Sequence, residues 1–143
     1  MTPKTGAKDP HEIVIKMLYI PGLSVNHYKF SGGKYTKPEV KEWVKNLNSE
    51  VLLQVYLYPD IAFKPLVIAV SGEFKDKRSM PDLHNILKII CDSIAPALGV
   101  NDRDIKTETD IPKVVKRDYG IFFGKKIKLQ ATGEITIRIT ELK

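Results

Sequence analysis

Apolar positions change their period several times along the chain, and each change marks a predicted element. Glu12 to Ile20 is dense in β-branched and apolar residues and stops at Pro21-Gly22, which predicts a strand. Ser24 to Lys37, with Gly32-Gly33 at its tip, reads as a loop. Pro38 then opens a helical spacing through Val40, Trp43, Val44, Leu47 and Val51. Pro65 to Phe74 predicts a second strand, internal because its first half is almost wholly apolar. A charged connection, Lys75 to Met80, leads to a central helix expected from Pro81 to Ala95, with Pro96 and Gly99 marking its end. Ile105 to Arg117 and Gly133 to Leu142 read as two further strands. In the last, Ile135, Ile137 and Ile139 alternate with Thr136, Arg138 and Thr140. The order β-α-β-α-β-β predicts an α+β fold in which one mixed sheet packs against helices. Met1 to His11 is polar and is expected to be a flexible tail, leaving residues 12–143 as a single domain.

The central helix separates into two faces at about 100° per residue. Leu83, Ile86, Leu87, Ile90 and Ile94 form an apolar stripe suited to sealing a sheet, while His84, Asn85, Lys88 and Asp92 share the opposite side. A solvated face with a routine Lys88–Asp92 pair explains those four residues by itself. Acids on both sides of the helix change the picture. Asp82 stands at its start, where the helix dipole favours a negative charge and capping is a sufficient role. Asn101-Asp102-Arg103-Asp104 follows the Gly99 turn. Carboxylates from a helix start, a helix body and a following loop are the oxygen donors that Mg²⁺ takes, alongside water and substrate phosphate.

Charge gives that cluster a partner. Lys and Arg outnumber Asp and Glu by 23 to 17, and the pI is near 9.3. Such an excess favours polyanions. Six cations lie between Pro112 and Lys128, namely Lys113, Lys116, Arg117, Lys125, Lys126 and Lys128, with Tyr119, Phe122 and Phe123 among them. Two readings stand: a polar β-hairpin with a hydrophobic anchor, or a phosphate-binding flap. Lys75, Lys77 and Arg78 form a second basic cluster just before Asp82. Met80, Cys91 and Trp43 read as packing residues, with Trp43 in the core or at a dimer contact. Cys91 is the only cysteine, which excludes an internal disulfide and a Cys-based zinc cluster. No apolar stretch approaches a membrane span and Met1 to His11 lacks a signal-peptide core, so a cytoplasmic protein is expected.

The sequence resembles the RusA family of Holliday-junction resolvases and related endonucleases. Pro81-Asp-Leu-His-Asn-Ile-Leu-Lys88, Asp92 and Gly99-Val-Asn-Asp-Arg-Asp-Ile105 follow that family's approximate pattern of P-D-x-D-N-x-x-K, a later Asp, and D-D-x-x-I before a strand. Ile20-Pro-Gly-Leu-Ser-Val-Asn-His-Tyr28 is similar to its P-x-x-S-x-N stretch. The resemblance implies a Mg²⁺-dependent endonuclease, with Mn²⁺ as a substitute, that cuts branched DNA by paired nicking, acts as a homodimer and works inside a bacterial or phage-infected cell. It makes Asp82, Asp92 and Asp102 the metal ligands. Lys88 would face the scissile phosphate, Asn85 would order a ligand or backbone, and Asn26 would stand at the site's edge or stabilise a turn. The family's second Asp is His84 here, and the first Asp of its D-D pair is Asn101. An imidazole can coordinate Mn²⁺ or act as a base, yet it removes a negative charge. The alternative is therefore a branched-DNA-binding protein with a decayed site.

Overall fold

The computed structural model describes residues 12–20, 23, 38–57, 59–61, 64–124 and 127–142. They form a single α+β domain with one mixed sheet, two α-helices and a separate hairpin. In chain order the elements are β1 (Ile13–Tyr19), α1 (Pro38–Leu57), β2 (Leu66–Phe74), α2 (Leu83–Leu98), β3 (Ile105–Thr109), β4 (Lys113–Val114), β5 (Ile121–Gly124), β6 (Ile127–Gln130) and β7 (Gly133–Glu141). The sheet runs β1-β7-β2-β3, with β4 continuing beyond β3 against β2. β7 is antiparallel to both β1 and β2, whereas β2 and β3 are parallel and joined by α2. A parallel pair needs such a crossover, because a tight turn cannot return the chain to the same end.

Period-two alternation puts Ile13, Ile15, Met17, Leu66, Ile68, Val70, Ile135, Ile137 and Ile139 on one buried face. Both helices cover that face. The stripe predicted for α1 is buried, and Trp43 is wholly enclosed, its Nε1 donating to the Leu18 carbonyl at 2.7 Å. The opposite sheet face, with Lys16, Ser71, Glu73, Glu134 and Arg138, is half-buried or exposed. Met80 and Cys91 pack against the core margin, as expected of them.

Three boundaries differ from the sequence reading. First, α2 begins at Leu83 and passes through Pro96 to Leu98. Proline already has a helical φ, and its missing N–H costs one hydrogen bond near the helix end. Burial of Leu98 holds that last turn. Gly99, at φ 69°, ends the helix, and Val100 N–H donates to the Ala95 carbonyl at 3.1 Å. Second, the strand expected from Ile105 to Arg117 breaks after Thr109. Val70 pairs with Thr109 and Glu73 with Lys113, so three steps on β2 face four on the other chain segment. That extra residue is a bulge at Asp110–Pro112, where Pro112 has no N–H for the ladder. Third, β5 and β6 form an antiparallel hairpin, as one of the two readings of the basic segment has it, which raises the strand count above the four of the expected order. The tail Met1 to His11 lies outside the described residues.

Candidate functional site

The β2–α2–β3 unit fixes which side chains become neighbours. Tyr19, Gly133, Phe74 and Val114 are in register across the sheet, so β1, β2 and β4 finish, and β7 starts, at one end. The Lys77–Ser79 turn and the start of α2 follow directly from β2 there. Ligands of open sheets with parallel strands gather at the carboxyl ends of those strands. Here that end carries a shallow groove of about 290 Å³ between the helix start (Pro81, Asp82, Leu83, His84) and the β3 exit (Thr109, Asp110, Ile111, Pro112).

Asp82 is the N-cap of α2. Its Oδ1 accepts from the His84 N–H at 3.0 Å, and its carbonyl accepts from the Asn85 N–H at 3.0 Å. Capping uses one carboxylate oxygen, and a carboxylate has about four acceptor positions, so it is compatible with a second partner. His84, Asn85 and Lys88 are exposed, as their helix face requires, and Asp92 is half-buried with Oδ2 closed to solvent. Asp110 lies across the groove from Asp82. Sequence reading placed it inside a strand. The signal that could have found it is Pro112, which argues against an unbroken strand two residues later.

The acids expected to share one metal are not gathered in one chain. Asp82 and Asp102 flank α2, whose sixteen residues rise about 24 Å. Asp102 lies in the turn before Ile105, and Ile105 pairs with Leu66 at the far end of β2. Asp92 sits mid-helix, about 15 Å along the axis from Asp82. Among the described residues, which exclude the Asp102 side chain, no group of three or more His, Cys, Asp or Glu is arranged to hold a metal ion. The trio Asp82, Asp92 and Asp102 therefore does not fit one ion within one protomer.

The basic residues do gather. Lys75, Lys77 and Arg78 are exposed on the segment that joins β2 to Asp82. Asp76 shapes that segment: its Oδ1 accepts from the Ser79 N–H at 2.8 Å, and hydrogen bonding with Ser79 holds its carboxyl below the usual carboxylate range. Lys113 and Lys116 are exposed at the same end. Arg117 is engaged differently. It lies 3.5 Å from Glu73 and 3.6 Å from Glu134, and its guanidinium covers the Tyr119 ring at 3.8 Å. Its charge is thus shared between two carboxylates on the open sheet face.

No family model matches the chain, and no curated protein does either.

The hairpin resolves the aromatic cluster into two roles. Tyr119 and Phe122 are buried, and the Tyr119 hydroxyl donates to the Val115 carbonyl at 2.7 Å. Burial is the main cause that pushes the Tyr119 hydroxyl pKa up. Phe123 is 65% exposed, with Lys128 Nζ 5.8 Å from its ring centre. The hairpin is anchored at the groove end, because Ala131 N–H donates to Gly120 and Thr132 N–H to Tyr19. A Cβ at Gly124 would stand 2.5 Å from Glu42 Cγ, so the hairpin then lies closely on α1. Lys125, Lys126 and Asn26 fall outside the described residues. Among the described residues, no helix is long and apolar enough to cross a membrane.

Proposed function

We propose that the protein is a RusA-like, divalent-metal-dependent endonuclease acting on branched DNA. The observation that carries this reading is the groove at the carboxyl end of β2–α2–β3. There Asp82, His84 and Asp110 line one recess, with the cations Lys75, Lys77, Arg78 and Lys113 at the same end of the sheet. Acids at the centre of a basic surface are suited to a phosphodiester held at a metal. The sequence resemblance supplies the reaction class, and His84 and Lys88, one turn apart, share an exposed side of α2.

Separation of Asp82 from Asp102 along α2 imposes a condition on this reading. Both acids can serve one ion only if Asp82 comes from one copy and Asp102 from another, so the active species is a homodimer with two such sites. That arrangement also suits paired nicking of a two-fold symmetric junction. Bound there, a divalent cation would supply charge neutralisation, a polarised phosphoryl oxygen and an activated water. Within the chain, Asp82 and Asp110 offer oxygens, His84 offers an imidazole nitrogen or a base, and Lys88 offers a cation for the phosphate.

A second reading is a branched-DNA-binding protein without cleavage. It is favoured by His84 and Asn101 at positions where the family pattern has Asp, and by the incomplete donor set of a single chain. Cleavage of a synthetic four-way junction, beside its linear duplex, with Mg²⁺ or Mn²⁺, separates the two. Paired nicks that disappear with Asp82→Asn support the endonuclease. Tight junction binding with no nick under either metal moves the protein to the second reading.

A further inference from the structure

We propose that β3 is the edge through which two copies of this chain pair, antiparallel, about a two-fold axis at Thr107. β3 ends the sheet, and among the described residues nothing pairs with its outer side. The Asp110 N–H donates to the Val70 carbonyl at 3.1 Å. By strand alternation, residues 106, 108 and 110 turn their backbone groups toward β2, and residues 105, 107 and 109 turn theirs outward. Pairing about Thr107 then sets Thr107 opposite its own copy and Ile105 opposite Thr109, and these outward groups exchange hydrogen bonds. Lys106 falls opposite Glu108 twice, in the closely spaced pairs where side chains approach most. Opposite charges and a Thr–Thr pair are both favourable across strands. Lys106, Thr107 and Glu108 are all exposed, and Ile111 beside them is 87% exposed.

The sheet's other edge lacks this self-complementarity. The same operation on β1 about its central residue would oppose Lys16 to Lys16, a charge that discourages pairing. The outward Leu18 carbonyl there is already taken by Trp43. Of these two edges, among the described residues, β3 is the one that presents alternating opposite charges around an uncharged centre.

Antiparallel pairing also runs the Asp102–Asp104 turn of one copy past the Asp110 bulge of the other. It thereby brings the two ends of α2 from different copies together, a consequence that rests on the proposed endonuclease reading. The pairing itself is measured without DNA. Sedimentation velocity of the full chain, with and without Mg²⁺, is expected to show a dimer. Lys106→Glu should weaken association at least about tenfold, since two like-charge pairs replace two attractive ones. The double variant Lys106→Glu/Glu108→Lys should restore it. Unchanged far-UV circular dichroism and thermal midpoint confirm that each variant folds, as both side chains are exposed. A monomer under both conditions, a dimer indifferent to Lys106→Glu, or a double variant that fails to recover would overturn the interface. A dimer that obeys the charge exchange yet never nicks a junction would overturn the nuclease reading and leave the interface standing.

Discussion

The two ends of the β2–α2–β3 unit are built from similar residues and differ in what surrounds them. At the carboxyl end, Asp82 caps the helix, the bulge turns the chain out at Asp110, and a groove opens between them beside the cations of the Lys77–Ser79 turn. At the opposite end, Gly99 closes the helix with backbone hydrogen bonds, and a short turn carries Asp102 straight into β3. A carboxylate beside a groove can meet substrate in its own chain. Under the proposed endonuclease reading, a carboxylate at the other end reaches that groove only from a second molecule. Acid content alone does not separate these cases; the direction of the parallel crossover does.

The largest effect should come from breaking the division between ends. Asp82→Asn and Asp102→Asn are each expected to abolish junction cleavage while leaving the fold intact. Asparagine is itself a good N-cap, so Asp82→Asn retains the start of α2. Mixed after partial unfolding and refolding, the two inactive chains should regain activity, because a heterodimer then holds one site with both native acids. Mixtures that stay inactive would place both acids of a working site in one chain and contradict the geometry described here. Asp92→Asn, in the middle of the helix, should leave cleavage near its native level.

A smaller effect sharpens the role of the groove end. Replacing Lys75, Lys77 and Arg78 together by Ala should weaken junction binding. Each lost phosphate contact should reduce the slope of log affinity against log salt by about 1. Arg117→Ala should change that slope little, since Glu73 and Glu134 already occupy its charge. Fluorescence anisotropy across a salt series reads both, and an equal loss of slope for Arg117→Ala would make it a DNA contact.

The smallest expected effect concerns pH. Asp76 has a depressed carboxyl pKa through its bonding to Ser79, so its contribution is present above the ordinary value of 3.8 and is lost as pH falls through the lower folded value. The thermal midpoint of the native chain should therefore fall slightly faster below pH 4 than that of Asp76→Asn. Parallel curves for the two proteins would show that the Ser79 contact contributes nothing to stability.

Much of this architecture was legible in the sequence. Helical spacing in α1 and α2 and alternation in β7 identified buried faces, because burial on one side imposes those periods, whereas β1 and β2 were legible only as apolar, β-branched runs. The same helix-wheel argument separated His84, Asn85 and Lys88 from the core. It failed at Pro96, where one hydrogen bond was outweighed by burial of Leu98, and at Asp110, where a bulge interrupted an apparently continuous strand. It also left the hairpin aromatics unresolved: Tyr119 and Phe122 are buried and Phe123 is not, although all three occur in one basic segment.

By itself, then, the sequence determined the amphipathic elements, their approximate limits, the basic character of the chain and the set of acids available for chemistry. Tertiary structure decided which of those acids are neighbours. Residues within one helix keep a fixed spacing, so Asp82 and Asp92 were already separated by the rise of α2. The placement of Asp110 beside Asp82, and of Asp102 at the other end, depends on β3 running parallel to β2. That is a long-range pairing, which no local pattern in the chain encodes.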